Sequence, residues 1–366
     1  MENNKQVQKA GDNSTQIQTA NLVINNGIEE KRAREIFIEM FDIARKDLTQ
    51  EAIQVANQRV SEFENELISK MQKIDGALNS FADPSFQFLL INAHKTAAST
   101  DRESDYELLS ELLLHRIKRK EDKNTIAGIN RAVKIVDEIS DSALLALTMV
   151  YCIQNFKPIT SNVFNGLDEM NEFLGIICYD DFPSDSQWLD HLDILDAIRI
   201  YQYGLGKMNS FEEIYCKLMS GYCALGIKIE SENYSKACEL LSEANLSINF
   251  LEPNCFNKDY ARLRVVSKDY IDEIKFSASN GVVVSNDILN NKRDVLRKIY
   301  DLYEKDSKLN QEIKNQFVSE ILKRDNLKKV RDWWNKIPVL FQITSVGNVL
   351  AHSNASRLYT GLPKFY

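Results

Sequence analysis

The chain has 366 residues, with 45 lysines and arginines against 53 aspartates and glutamates, so its formal charge is −8. A chain of this length buries roughly 75% of its unfolded surface, which suits two or three packed subdomains. With only 13 glycines and 6 prolines and 44% apolar residues, a β-rich or low-complexity protein is disfavoured. The acidic balance also disfavours a dedicated nucleic-acid binder, whose contact surface would be basic.

The first feature in chain order is an N-terminal segment without charge. No charged residue occurs from Asn13 to Ile28, although 27% of the chain is charged. The stretches Ser14–Gln18 and Leu22–Ile24 are β-leaning and are bounded by turn signals, so we predict two short strands. Such strands are too short to be stable alone, whereas identical uncharged strands from several copies can stack without repulsion.

This uncharged segment predicts a homo-oligomerisation element, in which the protein's partner is a second copy of itself. The alternatives are a disordered polar leader and a hairpin docked on its own domain. The residues predicted to stack between copies are Asn13, Ser14, Thr15, Gln16, Ile17, Gln18, Leu22 and Ile24.

After Gly27 the apolar residues repeat at helical spacing, for example at Phe37, Phe41, Ala44 and Leu48. Helices are predicted near residues 29–46, 50–75, 84–97, 103–120, 124–139 and 141–155.

The middle of the chain predicts fewer and shorter helices. One, within 158–183, lies between two proline breaks, and another begins at Asp185 with Trp188, Leu192 and Leu195 on its apolar face and Ile198 at its edge. Further helices are predicted at 211–225 and 233–247. The only later strand candidates are 264–266 and 281–284.

From Asn286 onward the chain is helical and basic, with 13 lysines and arginines against 8 acids in residues 292–336. The predicted fold is therefore mainly α, a multi-helix bundle or irregular α-array with a short N-terminal two-strand β segment. The predicted divisions are an oligomerisation leader at 1–27, an N-terminal helical domain at 28–155, a middle helical domain at 156–285 and a C-terminal basic region at 286–366.

Residues 337–356 form a second uncharged segment, preceded by Lys328, Lys329, Arg331 and two tryptophans. That arrangement resembles a membrane anchor, but the segment holds too many polar side chains for a hydrocarbon core. We predict a buried helix instead, with His352 and Asn354 satisfied inside the packing. Its predicted close-packing residues are Thr344, Gly347, Ala351 and Ala355.

The sequence contains no nucleotide-binding glycine loop, zinc-protease motif or nucleophile elbow. Its six cysteines form no C-x-x-C pair and are expected to be small buried side chains in a reducing cytoplasm. One acidic cluster, from Asp180 to Asp196, is a candidate divalent-cation site through Asp190, His191 and Asp193, although a solvated face explains it as well. No cofactor is predicted.

Several short motifs resemble those of an uncharacterised family of bacterial proteins. They are the leader Gly11-Asp-Asn-Ser-Thr-Gln-Ile-Gln18, the helical positions Leu48, Ala52, Ala56 and Arg59, the pattern Asp83-Pro84-Ser-Phe86-Gln87 and the ending Thr344-Ser-Val-Gly-Asn-Val-Leu-Ala351. The resemblance implies a cytoplasmic helical protein without an established activity. Similar leaders also occur at the front of bacterial antiviral and signalling proteins.

The leading functional hypothesis is a non-enzymatic interaction protein that assembles with copies of itself. Its expected setting is bacterial antiviral defence, where a phage or defence-system protein would be a further partner. Nucleic acid is an unlikely partner. The first alternative is a toxic effector that acts on membranes through residues 328–356. The second is a metal-dependent nuclease that uses the Asp180–Asp196 acids.

Overall fold

The computed structural model describes residues 27–118, 122–201, 206–276 and 286–363. Its helices are α1 Glu30–Ala44, α2 Gln50–Gln72, α3 Pro84–Ser99, α4 Glu103–Lys118, α5 Lys123–Ala132, α6 Asp141–Asn155, α7 Val163–Ile177, α8 Gln187–Ile194, α9 Phe211–Leu218, α10 Glu232–Glu243, α11 Asn286–Asp301, α12 Ser307–Leu322, α13 Asp325–Trp334 and α14 Ser345–Leu358. Its strands are β1 Ile198–Ile200, β2 Ile227–Lys228, β3 Leu251–Pro253, β4 Tyr260–Leu263 and β5 Phe341–Ile343. The prediction of a mainly α fold is confirmed.

Local side-chain chemistry sets where several helices begin. The Thr49 hydroxyl accepts a hydrogen bond from the amide of Ala52 at the start of α2. The Asp83 carboxylate accepts one from the amide of Ser85, and Pro84 occupies the first turn of α3. These signals are readable in the sequence, so both starts were predicted closely.

One continuous apolar core joins the first and last helices of the described chain. It extends from Ala33 in α1 to Ala355 in α14. Helix α6 is apolar around its whole circumference, and every residue from Ala143 to Ile153 is buried. Helix α14 packs against α4, α5 and α6. The C-terminal helix is therefore enclosed by the N-terminal helices.

Two small antiparallel sheets connect distant parts of the chain. In the first, β1 pairs with β5, and Ile198 lies opposite Ile343. In the second, β4 lies between β2 and β3. A second apolar cluster, which includes Leu241, Leu263 and Leu296, joins this sheet to α10 and α11.

Several predicted boundaries were wrong. Ile198 does not extend the face of α8, because that helix ends at Ile194 and Asp196 turns the chain with a φ of 61° into β1. The helix predicted over 211–225 ends at Leu218. Residues 264–266 do not form the predicted strand, because β4 lies just before them and ends at Leu263. The buried helix predicted over 337–356 is divided into β5 and α14.

Other predictions fall outside the described residues. These are the two N-terminal strands, with the stacking residues Asn13, Ser14, Thr15, Gln16, Ile17, Gln18, Leu22 and Ile24, and the strand candidate at 281–284. The predicted division of the chain into four parts stays a prediction.

Candidate functional site

The first two helices carry an apolar groove that opens beside α3. The groove encloses about 480 Å³. Its lining residues are mostly small or apolar: Phe41, Ala44, Leu48, Ala52, Val55, Ala56, Arg59, His94, Lys95, Ala98 and Ser99. We call this feature the α1–α3 groove.

Two apolar side chains that line the α1–α3 groove face solvent. Val55 is 52% exposed and Leu48 is 39% exposed. Leu48 follows Phe37, Phe41 and Ala44 at helical spacing in the sequence, but α1 ends at Ala44 and Leu48 lies between α1 and α2. Clustered exposed apolar side chains are typical of interaction surfaces.

His94 forms part of the groove wall. Its ring is fully buried among Phe37, Phe41 and Phe63, with its centroid 4.2 Å from that of Phe37. Neither ring nitrogen has a hydrogen-bond partner among the described residues. Burial lowers the pKa of His94 to about 3. The imidazole is therefore neutral at physiological pH and adds no charge to the groove.

The rim of the groove is cationic. Arg59 donates hydrogen bonds to the carbonyl oxygens of Ala98, at 2.9 Å, and Ser99, at 3.3 Å, which fixes its guanidinium beside the opening. Lys95 is exposed at the same rim. Among the side chains that the structure describes, none of those lining the groove is acidic. The mostly apolar lining suits an apolar occupant.

The close-packing residues predicted near the C-terminus lie at the start and on the buried face of α14. Thr344 caps the helix, and its hydroxyl accepts from the amide of Gly347 and donates to the carbonyl of Asp196 at 2.6 Å. Gly347 is buried against the carbonyl of Ala197, just before β1, and Ala351 and Ala355 are fully buried. These residues position α14 in the core.

The last turns of α14 also bury polar side chains, and each has a partner. His352 lies 3.2 Å from the hydroxyl of Tyr151 through Nδ1, and Ser353 lies 2.9 Å from Nδ1 of His115. The Asn354 amide donates to the hydroxyl of Thr148 at 2.8 Å. Burial, reinforced by the charge of Lys118, lowers the pKa of His352 to about 4. Satisfied neutral groups of this kind fix the register of packed helices.

A smaller cavity of about 290 Å³ borders this polar layer. His115 and His352 line it together with Lys70, Lys73 and Lys118. The two imidazole rings are 5.0 Å apart, and Lys70 pairs with Glu111 at 2.8 Å. Glu111 also lines the cavity, and Lys70 pairs with Glu66 as well, so the lining carries charges of both signs.

The acidic cluster does not form the predicted metal site. In the ranges that the structure describes, no group of three or more histidine, cysteine, aspartate or glutamate side chains could hold a metal ion. His191 accepts a hydrogen bond from the amide of Ser140 at 3.2 Å, Asp193 accepts one from Ile200, and Asp190 is exposed. The partners of His191 and Asp193 are therefore backbone amides.

Within the described ranges, no helix combines the length and apolar composition needed to cross a bilayer.

Sequence reasoning missed the α1–α3 groove. The available signal was Val55, an apolar residue beside Ala52, Ala56 and Val60, which repeat at helical spacing. A single such residue is common on protein surfaces, and only the packing of three helices shows that it borders a cavity.

Comparison with known proteins gives a family but no activity. A protein-family model, described only as uncharacterised-like, matches residues 27–364. No curated protein and no solved structure matches the chain. Since the match extends over nearly the whole sequence, the chain belongs to this uncharacterised-like family.

Proposed function

We propose that the protein acts by interaction and that it assembles with copies of itself through its N-terminal region. The observation that carries the proposal is the α1–α3 groove, an exposed apolar cavity in the helices that directly follow the uncharged segment. The segment ends at Ile28, and α1 begins at Glu30. Two features suited to association thus adjoin each other in the sequence.

The two features have complementary physical roles. Uncharged strands from several copies can pair without repulsion and satisfy one another's backbone groups. When a second copy covers the groove, apolar surface is removed from water. Each Å² removed stabilises the assembly by about 25 cal/mol. We propose that residues 13–24 stack between copies and that the groove receives an apolar side chain of the neighbouring copy.

Bacterial antiviral defence is the setting we propose, with a phage or defence-system protein as the further partner. The support is the resemblance of the leader Gly11–Gln18 to the leaders of such proteins. Any trigger would have to bind one assembly state more tightly than another.

Light scattering on the full chain after size exclusion tests the proposal. Ile17→Lys places one positive charge in every stacked copy and should lower the mass to that of a monomer, whereas Ile17→Val should leave the mass unchanged. Val55→Glu should weaken association at least tenfold, because a carboxylate would be buried in the groove. Ile194→Glu is its matched control, because Ile194 is 76% exposed in α8 and does not line the groove. A monomeric wild-type chain at working concentration would contradict the proposal.

The two alternatives have separate tests. A membrane-acting effector would have to release α14, which would expose the apolar and polar groups buried in its packing. That alternative predicts that the protein causes leakage of dye from liposomes. A nuclease based on the acids of 180–196 predicts magnesium-dependent cleavage of nucleic acid that alanine at Asp190 and Asp193 abolishes. The interaction proposal predicts neither result.

A further inference from the structure

The α1–α3 groove has the size and the lining of a site for a small molecule. Its volume of about 480 Å³ lies within the range of about 300–1,000 Å³ that is common for ligand sites. Phe41 forms part of its wall, while Ala44, Ala52 and Ala56 contribute only methyl groups and so leave room for an occupant. A groove of this kind removes the apolar part of a ligand from water.

The charge that lines the groove has one sign. Arg59 and Lys95 both line it, and none of the other lining side chains that the structure describes carries a charge. Ser99, at the same groove, donates its hydroxyl to Asp137 at 2.5 Å, but Asp137 is not one of the lining residues. The groove therefore complements a ligand that joins an apolar body to a negatively charged group.

Arg59 is held in position before any ligand arrives. Its Nη1 atom donates to the carbonyl oxygens of Ala98, at 2.9 Å, and Ser99, at 3.3 Å, in the last turn of α3. Since both hydrogen bonds use Nη1, the Nε and Nη2 atoms take no part in them. Two neighbouring N–H groups of a guanidinium match the two oxygens of a carboxylate. A carboxylate is therefore the anion that this side chain favours.

His94 adds an unfilled hydrogen-bonding group to the wall of the same groove. Its fully buried ring lies with its centroid 4.2 Å from that of Phe37 and 5.8 Å from that of Phe41, and neither nitrogen has a partner among the described residues. A buried polar group without a partner costs free energy. Because the ring is shielded from bulk water, a partner has to come from an occupant of the groove. The N–H of a neutral imidazole suits an acceptor such as a carboxylate oxygen.

We propose that the α1–α3 groove binds a small apolar carboxylic acid in its ionised form. The hydrocarbon part lies in the groove, the carboxylate binds Arg59 and Lys95, and the N–H of His94 is a further donor. The inference rests on the groove that the proposed function gives to a neighbouring copy, so the ligand and the neighbour compete for it.

Isothermal titration calorimetry on the full chain at neutral pH compares three probes of equal chain length, which are octanoate, 1-octanol and octylammonium. We expect octanoate to bind about tenfold more tightly than octylammonium, because the rim attracts the first and repels the second. The uncharged 1-octanol should fall between them. Titrations at two temperatures reveal binding whose enthalpy is zero at one of them. No heat from octanoate at either temperature, or equal affinities for octanoate and octylammonium, would overturn the proposal.

Two variants place the site. Lys95→Glu should weaken octanoate binding about threefold or more and strengthen octylammonium binding, since it reverses one charge of the rim. Lys328→Glu is the matched control, because Lys328 is an exposed lysine of α13 that does not line the groove, and it should change neither affinity. Ala98→Phe should fill the groove and abolish binding of all three probes.

Circular dichroism shows whether each variant is folded, and the comparison of the three probes on the wild type does not depend on any variant. Octanoate binding that Lys95→Glu leaves unchanged would overturn the proposal. The same conclusion would follow if a folded Ala98→Phe chain still bound octanoate with the affinity of the wild type.

Light scattering separates this inference from the proposed self-assembly. If the chain assembles, saturating octanoate should lower the mass, because it occupies the groove that receives the neighbour's side chain. A monomeric chain that binds octanoate would contradict the proposed function and support this inference, whereas an assembled chain that does not bind octanoate would do the reverse. An assembled chain that binds octanoate and keeps its mass would contradict the competition, since the neighbour would then not occupy the groove.

Discussion

Gly347 in α14 lies directly against the backbone carbonyl of Ala197, just before β1. A Cβ atom at position 347 would be 2.0 Å from that oxygen and 2.7 Å from a methyl carbon of Ile343. The amide of Thr344 donates to the same carbonyl at 3.0 Å. The close approach thus joins the C-terminal helix to the paired strands β1 and β5.

We therefore expect Gly347→Ala to destabilise the fold, although alanine favours helices. The added methyl group meets backbone atoms, which cannot rotate away, and overpacking of this kind costs about 1–3 kcal/mol. Thermal unfolding followed by circular dichroism measures the effect. Ser345→Ala, at an exposed position of the same helix, is the control and should change stability by less than about 0.5 kcal/mol. Equal melting temperatures for the two variants would contradict close packing at Gly347.

The parts of the fold that sequence could predict depend on local signals. The start of α3 at Asp83 and Pro84 is one, and the apolar run of α6 is another. The pairing of Ile198 with Ile343 depends on contacts far apart in the chain, so three-residue strands could not be recognised from their own composition. The α1–α3 groove was missed for the same reason, since the exposure of Val55 depends on how three helices pack.

Acid stability should depend on His94. Its pKa is about 3 in the folded protein and 6.5 as a free side chain, so the unfolded chain binds a proton first as the pH falls. The contribution of the neutral His94 ring to the free energy of unfolding is fully present above about pH 6.5. It is lost progressively as the pH falls from about 6.5 to about 3. From pH 6.5 to 5 the loss amounts to about 2 kcal/mol.

His94→Leu removes this titration, so its stability should fall less than that of the wild type between pH 7 and pH 5. Urea unfolding at both pH values measures the difference. Ser345→Ala, which removes no titratable group and lies at an exposed position, is the control and should follow the wild type. If the wild type and His94→Leu lost the same unfolding free energy between pH 7 and pH 5, a buried His94 ring without a hydrogen-bond partner would be contradicted.

The buried polar layer of α14 should depend on Asn354. Its amide donates to Thr148, and its carbonyl oxygen accepts from Arg357 at 2.6 Å. Asn354→Ala removes both partners in a fully buried position, so we expect a loss of about 1–3 kcal/mol. Asn348→Ala in the same helix is the matched control, because Asn348 is not fully buried. Similar melting temperatures for the two variants would indicate that the layer contributes little to stability.

The last prediction concerns Arg262 in β4, whose side chain is 3% exposed and pairs with Glu252 at 2.6 Å. Its guanidinium also donates to the carbonyls of Ser161, at 2.7 Å, and Gly221, at 3.2 Å. One buried cation therefore joins the second sheet to segments that precede α7 and follow α9.

Arg262→Met should cost about 3–5 kcal/mol, because it removes the buried cation that pairs with Glu252 and takes a hydrogen-bond donor from the carbonyls of Ser161 and Gly221. Arg264 pairs with the same carboxylate at 3.2 Å, but its side chain is 52% exposed. Arg264→Met should therefore cost at most about 1 kcal/mol, as is usual for a solvent-screened pair. Urea unfolding of both variants separates the two cases. If they lost equal stability, the attraction to Glu252 alone would explain the effect, and the buried hydrogen bonds of Arg262 would not contribute.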